Sequence, residues 1–85
     1  MAAFMIANGT REGKGVCNYS NGNIYNGDWK HDVREGRGVY TWKDGSIYDG
    51  EWKNGMCNGY GIKTTMGKTT KGIWKDNKLL KNDNY

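Results

Sequence analysis

Eighty-five residues make one small domain at most, and a chain of that size buries only about 60% of the surface its unfolded form exposes, which argues against a deep catalytic cleft. Only 35% of the residues are apolar, while 14 Gly, 6 Tyr and 4 Trp are present; the buried area must come from large rings packed on bare backbone, as in a thin sheet. The formal net charge is +4, and no stretch approaches the roughly 20 apolar residues of a membrane-spanning helix.

Taken from the amino end, Met1 to Ala7 is a poor signal peptide, because it lacks basic residues and meets Asn8 and Gly9 after few apolar positions. A frayed first strand is expected near Phe4 to Ala7, with a turn at Asn8-Gly9. Strands follow near 13–19, 24–30, 36–42, 47–53, 59–65 and 69–75, and residues 78–85 read as a tail. Asn21-Gly22 and Asp44-Gly45 are dipeptides that tolerate positive φ in tight turns, flanked by alternating strand residues. No segment has helical periodicity. The expected architecture is all-β: an elongated single-layer antiparallel meander of consecutive hairpins, about six strands plus the frayed first one. Cys17 falls in a strand and Cys57 in a turn; their spacing fits neither a CxxC metal site nor a disulfide framework, so two reduced thiols in a cytoplasmic protein are expected.

The hairpins repeat. Ile24 to Lys30 (IYNGDWK) recurs as Ile47 to Lys53 (IYDGEWK), 23 residues on, with only Asn/Asp and Asp/Glu exchanged. The same displacement carries Gly36 to Val39 onto Gly59 to Ile62 and, backwards, onto Gly13 to Val16. In the next copy Met66-Gly67 replaces the Asp-Gly turn one residue early, and Thr70, Gly72 and Trp74 follow the Tyr-x-Gly-x-Trp frame, so one residue is deleted there. The chain divides as one domain, 1–85: a partial repeat 4–22, repeats 24–45 and 47–67, a degenerate capping repeat 69–77 and the tail. An atypical end unit is what a repeat array needs where it has no further neighbour.

Positions two apart in a strand share a face. Gly13, Gly15, Tyr19, Tyr25, Gly27, Trp29, Gly36, Gly38, Tyr40, Trp42, Tyr48, Gly50, Trp52, Gly59, Gly61, Gly72 and Trp74 fall on one face, where rings can lie over glycine backbone. Val16, Ile24, Val39, Ile47, Ile62 and Ile73 fall on the other among polar residues.

These motifs resemble the MORN (membrane occupation and recognition nexus) repeat, whose unit runs Tyr-x-Gly-x-Trp, a short turn, Gly-x-Gly and an Asp/Asn-Gly turn. Tyr25, Gly27, Trp29, Gly36, Gly38 and Gly45 match in one unit, and Tyr48, Gly50, Trp52, Gly55, Gly59 and Gly61 in the next. The resemblance covers about residues 6–76; it departs where Phe4 and Ile6 stand for Gly and Trp, and where Thr70 stands for Tyr. It implies an elongated twisted sheet with an open groove, serving as a scaffold or adaptor for protein segments, sometimes as a dimer, with phospholipid binding as the second implied role. It does not name a partner.

Catalysis has little to stand on. His31 is the sole histidine and occupies the turn position of Asn54 and Asp76; Ser20 and Ser46 lack a base to activate them. Asp28, Asp49 and Glu51 recur with the repeat, which makes them cross-strand charge partners rather than a catalytic pair. The Gly-x-Gly motifs precede strands without a following helix and are packing glycines, not phosphate loops. No catalytic residue, metal ligand or cofactor is expected.

The candidate partner-binding set is Tyr25, Trp29, Tyr40, Trp42, Tyr48 and Trp52. Within it the recurring Trp29 and Trp52, with Trp74, cement the sheet, whereas Tyr25, Tyr40, Trp42 and Tyr48 are better placed to present an edge to a partner. Residues 1–62 carry seven basic and seven acidic side chains, residues 63–85 six lysines and two aspartates. Lys68, Lys71, Lys75, Lys78 and Lys81 are therefore a candidate anion or lipid contact; the first reading of Lys68, Lys71 and Lys75 is protection of an exposed last strand, since they alternate with strand residues. The sequence points to a non-enzymatic protein-interaction module, an adaptor, scaffold or small inhibitor that holds a helix or extended segment in the aromatic groove. A membrane-surface module using the basic end is the alternative; nucleic acid ranks third, and a homodimer is compatible with the family.

Overall fold

The computed structural model describes residues 5–7 and 10–82; Phe4, the Asn8-Gly9 turn and residues 83–85 lie outside it. The described chain forms β1 (Met5–Ala7), β2 (Thr10–Asn18), β3 (Ile24–Lys30), β4 (Val33–Thr41), β5 (Ile47–Lys53), β6 (Met56–Thr65), β7 (Lys68–Lys75) and β8 (Lys78–Asn82). All pair antiparallel, each with its sequence neighbour, in one sheet of order β1 to β8. The sheet measures 45 × 23 × 18 Å. Fold class and hairpin order are as expected; the strand count and several strand starts differ, and the turns explain why.

Two kinds of turn alternate from β2 to β6, and the last two connections are of the shorter kind. After β2, the Tyr19 amide donates to the Asn23 carbonyl (2.9 Å) and the Gly22 amide to the Tyr19 carbonyl (3.1 Å). Trp42, Gly45 and Ser46 repeat this after β4. In these longer loops only Gly22 and Gly45 take positive φ, 97° and 94°. Asn21 and Asp44 instead accept bonds from the amides two residues on, Asn23 and Ser46, and so close the bend with their side chains. The tight turns with both central residues at positive φ stand elsewhere: His31-Asp32 (50°, 68°), Asn54-Gly55 (52°, 79°), Met66-Gly67 (50°, 80°) and Asp76-Asn77 (50°, 70°). These match the two-residue hairpin turn whose twist suits the flanking strands. Because each uses only two residues, β4 and β6 start earlier than the Gly-x-Gly motif suggested, at Val33 and Met56. Cys57 accordingly lies in a strand rather than a turn, and it is buried. The Asp76-Asn77 turn likewise leads into β8, so part of the expected tail is a strand and β7 is not the edge.

The side chains sort by face as the pattern requires. The core is Tyr25, Trp29, Tyr48, Trp52, Cys57 and Trp74, all on one face, with Cys17, Tyr19, Tyr40 and Trp42 partly buried against it. Tyr25 meets Trp29 and Trp52 edge to face at 5.1 and 5.3 Å, and Tyr48 meets Trp52 and Trp74 at 5.3 and 5.6 Å. This is the favoured geometry for ring quadrupoles, and it relays contact from unit to unit. The glycines make room for it: a methyl group at Gly38 would overlap the Tyr25 ring and hydroxyl, and one at Gly61 the Tyr48 ring and hydroxyl.

Each buried polar tip finds a carbonyl. The indoles of Trp29, Trp52 and Trp74 donate to the carbonyls of Gly15 (3.3 Å), Gly38 (3.1 Å) and Gly61 (3.0 Å). The hydroxyls of Tyr25 and Tyr48 donate to the carbonyls of Asp28 (3.0 Å) and Glu51 (3.1 Å). Those two residues sit where the register shifts, between Gly27 and Trp29 and between Gly50 and Trp52. Their carboxylates accept from the amides of Arg37 (3.0 Å) and Tyr60 (3.2 Å) across each irregularity, beside Gly36 and Gly59 at positive φ. Asp28 also pairs with Lys14 at 2.6 Å, the cross-strand charge partnership expected of it, and Asp49 pairs with Arg37 at 3.7 Å. Glu51 instead serves the backbone.

The end unit is atypical for a stated reason. Gly27 and Gly50 face Gly38 and Gly61 across the next strand pair, whereas Gly72 faces Asn82. A ring at position 70 would have no bare backbone to lie on. Thr70 stands there, and Leu79 on β8 lies within contact of a methyl placed at Gly72.

Candidate aromatic trough

The six candidate rings do not form one surface. Tyr25 and Tyr48 are 0% exposed, Trp29 and Trp52 5%; the chain itself already covers them, so the two tyrosines have no edge left to offer. Burial, and then the neighbouring Asp28 carboxylate, holds the Tyr25 hydroxyl well above the usual phenol range; burial does the same for Tyr48. Both stay protonated donors. Tyr40 and Trp42 are the members left partly exposed, their rings 4.7 Å apart.

Around these two opens a trough of about 300 Å³ lined by Arg34, Tyr40, Trp42, Trp52, Cys57, Lys63, Trp74 and Asn77. Arg34 reaches it from the start of β4, opposite Trp29 in register. Its guanidinium lies 4.9 Å from the Trp52 ring centre and 5.1 Å from that of Tyr40, and donates to the Gly55 carbonyl at 2.7 Å. Lys63, opposite Tyr48 in register, places its ammonium 5.0 Å from the Trp42 ring and 6.0 Å from that of Trp74. Such cation–ring contacts hold a charge in place without neutralising it. Burial pushes the Cys57 thiol from 9.0 up to about 11, so this lining atom is a neutral thiol.

Laying the repeats over one another separates framework from surface. Tyr25 and Tyr48, and Trp29, Trp52 and Trp74, recur and are buried. On the same face three positions change from unit to unit: Arg11, Arg34 and Cys57; Cys17, Tyr40 and Lys63; Tyr19, Trp42 and Thr65. These variable positions supply Arg34, Tyr40, Trp42, Cys57 and Lys63 to the trough. Arg34 and Lys63 stand outside the recurring Tyr-x-Gly-x-Trp frame that marks the framework; the signal for them lies in the changes at their positions, Arg, Arg, Cys and Cys, Tyr, Lys.

The candidate lysines also divide. Lys71 alternates with Gly72 and Trp74, and Lys75 stands opposite Lys78 and Ile73 opposite Lys81, so Lys71, Lys75, Lys78 and Lys81 share the face away from the trough. Lys68 shares the face of Gly72 and Trp74. All five are exposed. Lys68, Lys71 and Lys75, read as guards of an exposed last strand, lie on β7, whose edge β8 covers.

A search of the curated proteins finds no match. The MORN repeat family model matches three consecutive stretches, residues 7–24, 25–47 and 48–65. These stretches are more than half of the chain and carry Tyr25, Trp29, Tyr48 and Trp52 with the glycines they pack on, and the chain belongs to the MORN repeat family.

Proposed function

We propose that the protein is a non-enzymatic interaction module that holds a segment of a partner protein in the trough beside Tyr40 and Trp42. One observation carries the reading: on the aromatic face, four side chains at positions that differ between repeats, Arg34, Tyr40, Trp42 and Lys63, are left accessible around one concavity. Rings and an arginine lining a depression are the residue types that dominate interface energetics. A module acting this way is an adaptor, or an inhibitor that covers a partner's surface, and its thiols suit a cytoplasmic setting.

A second reading has its own support, since Lys71, Lys75, Lys78 and Lys81 share one exposed face with Ile73 and could meet anionic lipid there. The two readings use opposite faces and are separable. Affinity capture with the wild-type chain, Trp42→Ala and a Lys71→Glu/Lys75→Glu double variant, read by mass spectrometry, tests them. Proteins held by the wild type and the double variant but lost from Trp42→Ala are expected. Capture that survives Trp42→Ala and fails with the lysine reversals would move the site to the other face.

A further inference from the structure

The first unit neutralises the arginine on its aromatic face, and the second does not. Arg11 pairs with Asp32, whose carboxylate accepts from both the Arg11 side chain and its amide. Twenty-three residues on, Arg34 occupies the same place, but the residue equivalent to Asp32 is Gly55. The turn backbone is kept: the Asp32 amide donates to the Arg11 carbonyl at 3.1 Å and the Gly55 amide to the Arg34 carbonyl at 3.0 Å. Only the carboxylate is gone, and the Arg34 guanidinium turns to the Gly55 carbonyl. Lys63 adds a second positive charge to the same concavity where the preceding units carry Cys17 and Tyr40. Among the described residues no carboxylate forms an ion pair with either. Asp44, whose carboxyl feels the Lys63 charge, is engaged by the Ser46 amide at 2.8 Å.

We propose that the trough selects an acidic peptide segment, whose Asp or Glu carboxylates seat on Arg34 and Lys63 while its apolar groups lie on Tyr40 and Trp42. The inference rests on the interaction reading above and supplies the chemistry of the partner. Two half-buried cations held over rings gain most from an anion that arrives with apolar neighbours, because each charge-assisted bond then forms in a partly dry setting. A bilayer is a poorer fit: its surface is flat, these two charges are recessed among rings, and the freely exposed lysines face the other way. A nucleic acid strand is poorer still, since two isolated charges do not track a phosphate backbone.

Random dodecapeptides displayed on phage and panned against the immobilised full chain test this directly. Enrichment of Asp and Glu next to apolar residues is expected, and synthetic versions of the selected peptides should bind Arg34→Gln and Lys63→Gln about tenfold more weakly, as loss of a charged hydrogen bond implies. Lys71→Gln/Lys75→Gln should leave binding unchanged. Lys63→Gln guards against misfolding, because the Arg34 side chain bonds the Gly55 carbonyl whereas among the described residues the Lys63 side chain makes no hydrogen bond and lies over rings; each variant must keep the wild-type circular dichroism melt. Selected peptides that lack acidic residues yet need Trp42 would overturn the charge inference and leave the trough as a peptide site. Failure to enrich any peptide, or binding that depends on Lys71 and Lys75, would overturn both. Tighter Arg34-dependent binding to phosphatidylserine vesicles or to oligothymidylate than to the peptides would replace the occupant.

Discussion

Two side chains show how little slack this sheet has. A methyl at Gly38 would overlap the Tyr25 ring and hydroxyl, and Tyr25 cannot retreat because it is 0% exposed and hydrogen-bonded to Asp28. Gly38→Ala is therefore expected to cost at least about 1–3 kcal/mol, as overpacking does. Gly45→Asn, where a side chain would meet open space and Asn tolerates positive φ, should cost clearly less; thermal melts that rank the two the other way would refute the ring-on-glycine account. Cys57 makes a second test. Its thiol is pushed from 9.0 up to about 11 by burial, so the folded form resists ionisation that the unfolded form undergoes. The sign follows: this contribution to stability is full below pH 9.0 and is lost as pH rises towards about 11, in a protein whose denaturation midpoint should fall over that window and fall less in Cys57→Ala. Under native conditions iodoacetamide should modify the half-buried Cys17 well before the buried Cys57.

At the level of the hairpin, the turn decides. Met66 holds φ at 50° in a two-residue turn and is 98% exposed, where the turn favours Asn before Gly. Met66→Asn should raise stability by about 0.5–1 kcal/mol, the scale on which favourable backbone substitutions act; a lower melting temperature would count against the turn assignment. The same turn accounts for the deletion visible in the repeat spacing, since two residues there replace the longer loops after β2 and β4. In the third unit the indole-to-carbonyl bond accordingly spans Gly61 to Trp74, 13 residues, against 14 for Gly15 to Trp29. The bulge carboxylates give an acid test. Burial raises the Asp28 carboxyl, but Lys14 and the Arg37 amide outweigh it, and the group lies below its ordinary 3.8. Its stabilising contribution is present above pH 3.8 and is lost as pH falls further, so Asp28→Asn should flatten the acid limb of a pH–stability curve.

Across the whole molecule, order propagates only between neighbours, since the sheet follows the chain without a crossover. Such an array unfolds from its ends. Amide exchange should therefore be slowest in β4 to β6 and fastest in β1 and β8, and uniform exchange across all strands would refute nearest-neighbour behaviour. The radius of gyration, 13.1 Å, exceeds the roughly 12 Å of a compact domain of this length, as a single layer should. Nearly all of this was readable from 23-residue self-similarity, because ring, glycine and turn recur together. The candidate site was readable only in part. Tyr40 and Trp42 are the candidate rings that stay partly exposed and line the trough, but Tyr25 and Tyr48 looked available because a tyrosine two residues from a glycine reads alike whether a partner or the next strand covers it. Lys78 to Asn82 escaped as a strand because KLLKN carries no glycine or ring to mark it. The crossover-free topology also makes length a free variable for gene duplication. Inserting a second copy of residues 24–46 after residue 46 restores every strand pairing, adds one hairpin and lengthens the sheet by about 10 Å at ordinary strand spacing. The duplicate would carry its own Arg34, Tyr40 and Trp42 equivalents, so that binding specificity could diversify one unit at a time while the buried rings stayed constant.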